Sequence, residues 1–251
     1  MYINERFDQI LDYLKIHKKA SISTLAKQFY VSESTIRRDI DEMHNIGLIA
    51  RYHGGALYLE KADEVSIFVR IEKDAKEKET CATIALQHLP YFKTIFIDNS
   101  STCLAIAQRL DLTNKTVITN GIQVAMQLSQ KKDIDIILPG GNIKFNTNAV
   151  TGSLTINQIS AFNIDLMICS CAALDHTGAY ELSLETAEIK KTAINKSKNK
   201  ILVVDNSKFN LEATYKYASL QDFNYIITNA DNQTIEKINK NNSLIIYNKI
   251  N

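Results

Sequence analysis

Six short apolar runs, separated by helix-length stretches, constrain this chain more than any other feature of its sequence. They are TIFI (94–97), TVIT (116–119), IDIILP (134–139), DLMICS (165–170), KILVV (200–204) and YIITN (225–229). Runs that stay apolar at successive positions, rather than alternating with polar ones, belong to strands covered on both faces. Helices are expected near 102–110, 121–130, 152–161, 185–197 and 232–240. Strand and helix in alternation specify an α/β fold with a mostly parallel sheet. The carboxyl ends of its strands share one edge, and ligands bind along that edge.

The first 57 residues have a different texture. Phe7, Ile10, Leu11 and Leu14 recur at helical spacing, as do Ile22, Leu25, Ala26 and Phe29, and Ile36, Ile40 and Met43 form a third stripe. Ser21 and Ser32 stand just ahead of the second and third stripes, where N-caps belong. LIARYHGGALYL then reads as two short strands around His53-Gly54-Gly55, since Gly-Gly is a permissive hairpin turn. Three helices followed by a β-hairpin make a winged helix-turn-helix. The domain organisation expected is therefore 1–57 for this unit, a charge-rich linker over 58–75, and 76–251 for the α/β domain.

Composition narrows the function. Net charge is +1. Residues 1–60 hold eight Lys/Arg against eight Asp/Glu. Any nucleic-acid contact must then come from local placement of arginines rather than bulk charge. No apolar run approaches the ~20 residues of a membrane helix, and the N-terminus lacks the layout of a signal peptide. A cytoplasmic protein with no membrane association is expected. Cys81, Cys103, Cys169 and Cys171 form no CxxC pair and lack a histidine partner set. They read as buried, reduced core residues, with no metal and no cofactor implied.

Two arginines stand side by side in SESTIRRDI (32–40). At 100° per residue, Ser34, Arg37, Arg38 and Asp41 lie opposite the Ile36/Ile40/Met43 stripe. Exposed ion pairs, Arg37–Asp41 and Arg38–Glu42, explain this placement at about 0.2–0.5 kcal/mol each. DNA explains more. Ser32, Ser34 and Thr35 crowd the helix start that enters a major groove, and Arg51 and His53 at the hairpin tip offer a second contact. Arginine pairs bidentately with guanine or phosphate, while serine and threonine suit either.

In the α/β half, the strand ends carry Asp98-Asn99-Ser100-Ser101-Thr102, Thr119-Asn120-Gly121, Gly140-Gly141 and Asp205-Asn206-Ser207-Lys208. Hydroxyls and backbone N–H groups at a strand-to-helix turn suit an anion. Asp98, Ser100, Ser101, Thr102, Asn120, Gly140, Gly141 and Lys208 describe a pocket for a small phosphorylated polyol. Each also has a structural explanation: Asp and Ser as helix caps, Gly-Gly as a tight turn, Lys208 as solvated surface.

These residues resemble the DeoR family of bacterial transcriptional regulators. The likeness runs through Arg6, Ile10, Leu14, Val31, Ser32-x-x-Thr35-Ile36-Arg37-Arg38-Asp39, Gly47 and Arg51-x-His53-Gly54-Gly55-Ala56. It continues through Arg70, Lys78, Asp98, Thr102, Thr119-Asn120, Gly140-Gly141, Gly152, Asp165, Asp205-x-Ser207-Lys208, Thr228 and Asp231. The resemblance implies a winged helix joined to a sugar-phosphate-sensing domain related to ribose-phosphate isomerases and CoA transferases. It further implies a repressor of carbohydrate-catabolism genes that binds double-stranded operator DNA as a homo-oligomer, dimer or tetramer, under control of a phosphorylated sugar effector. Three positions depart from the pattern: Ser100 and Ala173 replace glycines, and Tyr30 stands in the turn where glycine is common. The alternative is a sugar-phosphate isomerase-like enzyme with an accessory N-terminal module, using Asp98 as base and Lys208 as phosphate anchor.

Overall fold

The computed structural model describes residues 3–45, 48–52, 54–58, 65–239 and 245–249. Gly47 and His53 of the family pattern lie outside the described residues, as do residues 59–64 of the expected linker. The chain divides into two compact units, Met1–Val69 and Arg70–Asn251.

In the first unit α1 (Ile3–His17), β1 (Lys19–Ser21), α2 (Ile22–Gln28) and α3 (Glu33–Asn45) precede a hairpin of β2 (Ile49–Tyr52) and β3 (Gly55–Tyr58). The three apolar stripes converge on one core, with Ile10, Leu14, Leu25, Ile36 and Met43 fully buried. Ser21 and Ser32 do cap: their hydroxyls accept from Thr24 N and Thr35 N. No periodicity in the sequence signals β1. It adds an edge to the wing, pairing antiparallel with β3 in the order β1-β3-β2. Gly55 is required there, because a Cβ would sit 2.2 Å from the Ala20 carbonyl oxygen across the ladder.

Next along the chain are α4 (Ile67–Glu72), α5 (Ala75–His88), β4 (Thr94–Ile97), α6 (Ser101–Arg109), β5 (Lys115–Thr119), α7 (Ile122–Leu128) and β6 (Ile134–Ile137). The hairpin β7 (Asn142–Lys144) and β8 (Ala149–Thr151) then leads to α8 (Ser153–Ser160) and β9 (Ile164–Cys169). The remainder is β10 (Ala173–Asp175), β11 (Gly178–Glu181), α9 (Leu184–Lys196), β12 (Ser197–Val204), β13 (Tyr215–Ala218), β14 (Tyr225–Thr228), α10 (Asn232–Ile238) and β15 (Ile246–Tyr247).

All six apolar runs are strands of one parallel seven-stranded sheet, ordered β15-β14-β12-β9-β4-β5-β6. Their continuous apolarity has a direct cause, since the sheet is buried on both faces with the period of two that a strand imposes. Ile95, Ile97, Val117, Leu166, Ile168, Ile201 and Val203 enter a core under α5, α6 and α7. Their neighbours Phe96, Ile118, Met167, Cys169, Leu202 and Val204 enter a second core under α8 and α9. Four buried free cysteines complete these cores. The sequence did not signal β7, β8, β10, β11, β13 or β15. β10, β11 and β13 form a separate antiparallel sheet on the second core.

Chain order reverses at β4. The strands β5 and β6 extend the sheet to one side, and β9, β12, β14 and β15 to the other. The switch point therefore opens between β4 and β9, at Asp98 and Ser170, where a doubly wound sheet forms its ligand crevice.

Candidate functional site

On α3, the SESTIRRDI segment divides by helical periodicity. Asp39 points inward and takes the Arg6 guanidinium in a two-pronged pair, at 2.5 and 2.8 Å, tying α1 to α3. That pairing holds the Arg6 pKa above its ordinary value, chiefly through its hydrogen bond to Asp39. Arg37 and Arg38 point outward. The pairs Arg37–Asp41 and Arg38–Glu42 expected from spacing do not form. Arg37 instead meets Glu33 at 3.2 Å, the favoured order with the acid one turn toward the N-terminus. Asp41 is taken by Arg51 of the wing, which fastens β2 to α3. Arg38 makes no hydrogen bond or ion pair among the described residues.

Ser32 and Ser34 are exposed at the start of α3 and Thr35 is half-buried beside them. The Ser32 hydroxyl lies 2.8 Å from each of the other two. Tyr30, 94% exposed, occupies the left-handed position between α2 and α3 with φ 55°. Glycine is the residue for which that conformation costs nothing. The outer face of α3 thus offers one unengaged guanidinium, one weakly held guanidinium and a cluster of hydroxyls.

In the second unit, the strand edge sorts the expected effector residues into those held by the fold and those left open. Asp98 is fully buried. One carboxylate oxygen accepts from Ser100 N and the other from Ser170 N, both at 2.9 Å, and Lys190 Nζ lies 2.8 Å away. Lys190 also meets Glu181 and the Ser170 carbonyl oxygen, and sits 5.3 Å from the Tyr217 ring centroid. Burial alone would raise the Asp98 pKa, but the Lys190 charge and these hydrogen bonds bring it below the usual carboxylate range. Lys190 is held well above the lysine range by its two carboxylates, against the opposing effect of burial. A carboxylate so held is a poor proton acceptor, which removes the minimum equipment of an isomerase-like enzyme.

Ser100 needs no glycine-like backbone, with φ −76° and ψ 151°. Its hydroxyl caps α6 by accepting from Cys103 N. Ser101 and Thr102 are buried in the first turn of α6, whose leading N–H groups a helix leaves unpaired. The Gly140 N–H donates to Gln158 Oε1, and the Gly140 carbonyl oxygen accepts from the Thr155 hydroxyl. A Cβ on Gly141 would lie 2.1 Å from Thr155 Oγ1, so this pair is a turn packed on α8.

What remains open comes from residues far apart in sequence. Among the described residues, Asn120 Oδ1, Thr147 Oγ1, Ser170 Oγ and Asp205 Oδ2 are buried without a hydrogen-bond partner. Thr147 arrives because the β7–β8 loop folds onto the end of β5, through Ile122 N to Asn148 O and Val150 N to Asn120 O. Asp205 directs its other oxygen to Ser207 N, and Lys208, half-buried, makes no side-chain bond among the described residues. Buried polar atoms are nearly always paired, so these four are the hydrogen-bonding groups that the fold leaves unspent along this edge.

Lys190, Glu181, Ser170, Tyr217 and Thr147 escaped the sequence reasoning. For Lys190 a signal existed: with Ala187, Ala193 and Ile194 it lies on the apolar stripe of α9, where an unpaired lysine is costly. No helix of the described residues is long and apolar enough to cross a membrane.

A winged helix-turn-helix followed by a doubly wound sheet with an open polar edge is the build of a ligand-sensing transcriptional regulator. Residues 6–62 match the family model for the DeoR-like helix-turn-helix domain, and residues 73–230 that for the DeoR C terminal sensor domain. The chain is 32% identical to the glycerol-3-phosphate regulon repressor of Escherichia coli, over 90% of each protein. It is 30% identical to the L-fucose operon activator of Escherichia coli, over 89% of this chain and 93% of that protein. With the transcriptional repressor GlcR of Bacillus subtilis the identity is 29%, over 91% and 89%. A ribose 5-phosphate isomerase A from Neisseria gonorrhoeae superposes with a TM-score of 0.39 at 15% identity, over 53% of this chain and 52% of the isomerase. The chain belongs to the DeoR family of transcriptional regulators.

Proposed function

We propose that this regulator is a repressor of carbohydrate-catabolism genes that binds operator DNA through α3 and the wing. A phosphorylated sugar at the strand edge of the second unit controls it. In this account residues 1–57 form the DNA-binding module, 58–75 the connection, and 76–251 the sensor. Ser32, Ser34, Thr35, Arg37 and Arg38 contact the major groove, while Arg51 and His53 contact the backbone or minor groove. The observation that carries this is Arg38, exposed beside a hydroxyl-rich helix start and without a hydrogen bond or ion pair among the described residues. The effector is held among Asp98, Ser100, Ser101, Thr102, Asn120, Gly140, Gly141 and Lys208, with Asp98, Ser100 and the glycines shaping the edge rather than touching the ligand. A relative named for a glycerol-3-phosphate regulon supports a phosphorylated effector.

The regulator acts in the cytoplasm as a homo-oligomer, dimer or tetramer. Ile143, Phe145, Leu154, Leu182 and Leu184 are exposed apolar side chains that such an interface could cover. Dimers also match the two-fold symmetry of operators. The test is selection of genomic fragments on the full-length protein, with sugar phosphates then added to the retained DNA. A shared sequence released or tightened by one sugar phosphate is the expected result. Failure to enrich any sequence at low salt contradicts the DNA-binding assignment.

A further inference from the structure

The β7–β8 hairpin and α8 carry an unusual surface for a chain of this composition. Charged residues make up 23% of the protein, yet the 29 residues 136–164 hold only one, Lys144. Burial does not account for this. All three residues of β7 are exposed, and so are Ser153, Leu154, Asn157 and Gln158 on α8. A solvated surface ordinarily mixes charges of both signs, whereas the core of a protein–protein interface is depleted of them.

Apolar side chains from three elements gather on this surface. Lys144 Nζ lies 3.1 Å from Glu185 Oε1, which sets β7 beside the first turn of α9. Ile143 and Phe145 flank Lys144 in the chain, and Leu184 precedes Glu185. The approach to β7 rests on α8, where Gly140 bonds to Thr155 and Gln158. Leu154 stands in that same first turn of α8. Ile143, Phe145, Leu154, Leu182 and Leu184 are 65%, 72%, 64%, 44% and 52% exposed. Together they present roughly 500 Å² of apolar surface, toward the upper end for the largest patch on a monomer. A standard interface buries about 800 Å² per partner, a little over half of it apolar, so this patch supplies the apolar share of one.

The hairpin also has an open edge. On one side β8 meets the end of β5, through Ile122 N to Asn148 O and Val150 N to Asn120 O. On the other it meets β7, which pairs with no further strand among the described residues. An unpaired edge is a template for another chain. The charges here, Lys144 and Glu185, cancel each other, so two copies of the face meet without net repulsion.

We propose that this face, the β7–β8 hairpin with the first turns of α8 and α9, docks a second copy of this chain about a two-fold axis. This rests on the homo-oligomer reading above and gives that oligomer its interface.

The experiment is sedimentation velocity on the full-length protein across a concentration series, with Phe145→Glu, Leu154→Glu and Met126→Glu. All three side chains are more than half exposed, so the variants are expected to fold, which far-UV circular dichroism checks. Phe145 and Leu154 stand on separate elements, so either variant decides alone if the other misfolds. Met126 lies on α7, which packs on the opposite face of the sheet from α8 and α9, and controls for an added charge. Wild type and Met126→Glu should form the same dimer or larger species. Phe145→Glu and Leu154→Glu should shift to smaller species, with the dissociation constant raised at least about tenfold, the scale of an interface hot spot. If wild type assembles and both variants assemble equally well, a second copy does not cover this face and the proposal is overturned, with the homo-oligomer reading intact. Equal dissociation of Met126→Glu overturns it in the same way. If wild type is a monomer at every concentration, both are overturned.

Discussion

The outer face of α3 and the strand edge of the second unit are both rich in polar side chains, yet they differ in what those side chains are free to do. On α3, exposure follows from period alone, and Arg37 and Arg38 face out as the spacing requires. At the strand edge the most conspicuous residues, Asp98, Ser100 and Gly140-Gly141, are consumed by the fold. The unengaged groups there are Asn120, Thr147, Ser170 and Asp205, gathered from across the chain. A helix decides locally which side chain is available. A sheet edge decides through partners distant in sequence.

Lys190 gives the sharpest way to break this contrast. Replacing it with methionine leaves Asp98 and Glu181 buried without their cation, which should cost about 3–5 kcal/mol in urea denaturation. The cost should shrink in acid. Asp98 is held below its ordinary pKa, so its stabilising contribution is complete above about pH 4 and is lost as protonation proceeds below that. Lys190 is held above its ordinary value, so its contribution persists until the pH rises beyond about 10.5. A stability difference unchanged between pH 7 and pH 3 would contradict the pairing.

Arg6→Ala tests the inward side of α3. It strands the buried Asp39 and should cost about 3 kcal/mol by the same measurement. Gly141→Ala asks whether the Gly-Gly turn serves packing or ligand. Crowding against Thr155 and the Thr151 carbonyl predicts a loss of roughly 1–3 kcal/mol in stability. Lost phosphate affinity at unchanged stability would return Gly141 to the ligand site. Smallest is Tyr30→Gly, which relieves a left-handed backbone and should stabilise the first unit by roughly 1 kcal/mol. A lower melting temperature would mean that the Tyr30 ring contributes packing its exposure does not suggest.

Most of the fold was legible because its signals are periodic. The strand runs declare burial on both faces, and Ser21 and Ser32 declare helix starts. The short strands were not legible, since β1, β7, β10 and β15 are three residues or fewer and take their identity from a partner. The outward-facing residues of α3 were legible down to Arg38, but not the choice of ion pairs, because spacing cannot tell that Arg51 claims Asp41. The edge was legible as an edge. Which of its polar groups were spent could not be read, because Lys190 reaches Asp98 from 92 residues away.

Operator binding by Arg38→Ala tests the central claim most directly, namely that an unengaged polar group marks the working surface. Affinity for selected operator DNA would be measured at fixed salt, alongside the melting temperature. The account predicts a loss of roughly 1–3 kcal/mol in binding, roughly 5- to 150-fold in Kd, with the melting temperature unchanged. Wild-type affinity in the Arg38→Ala protein would contradict it.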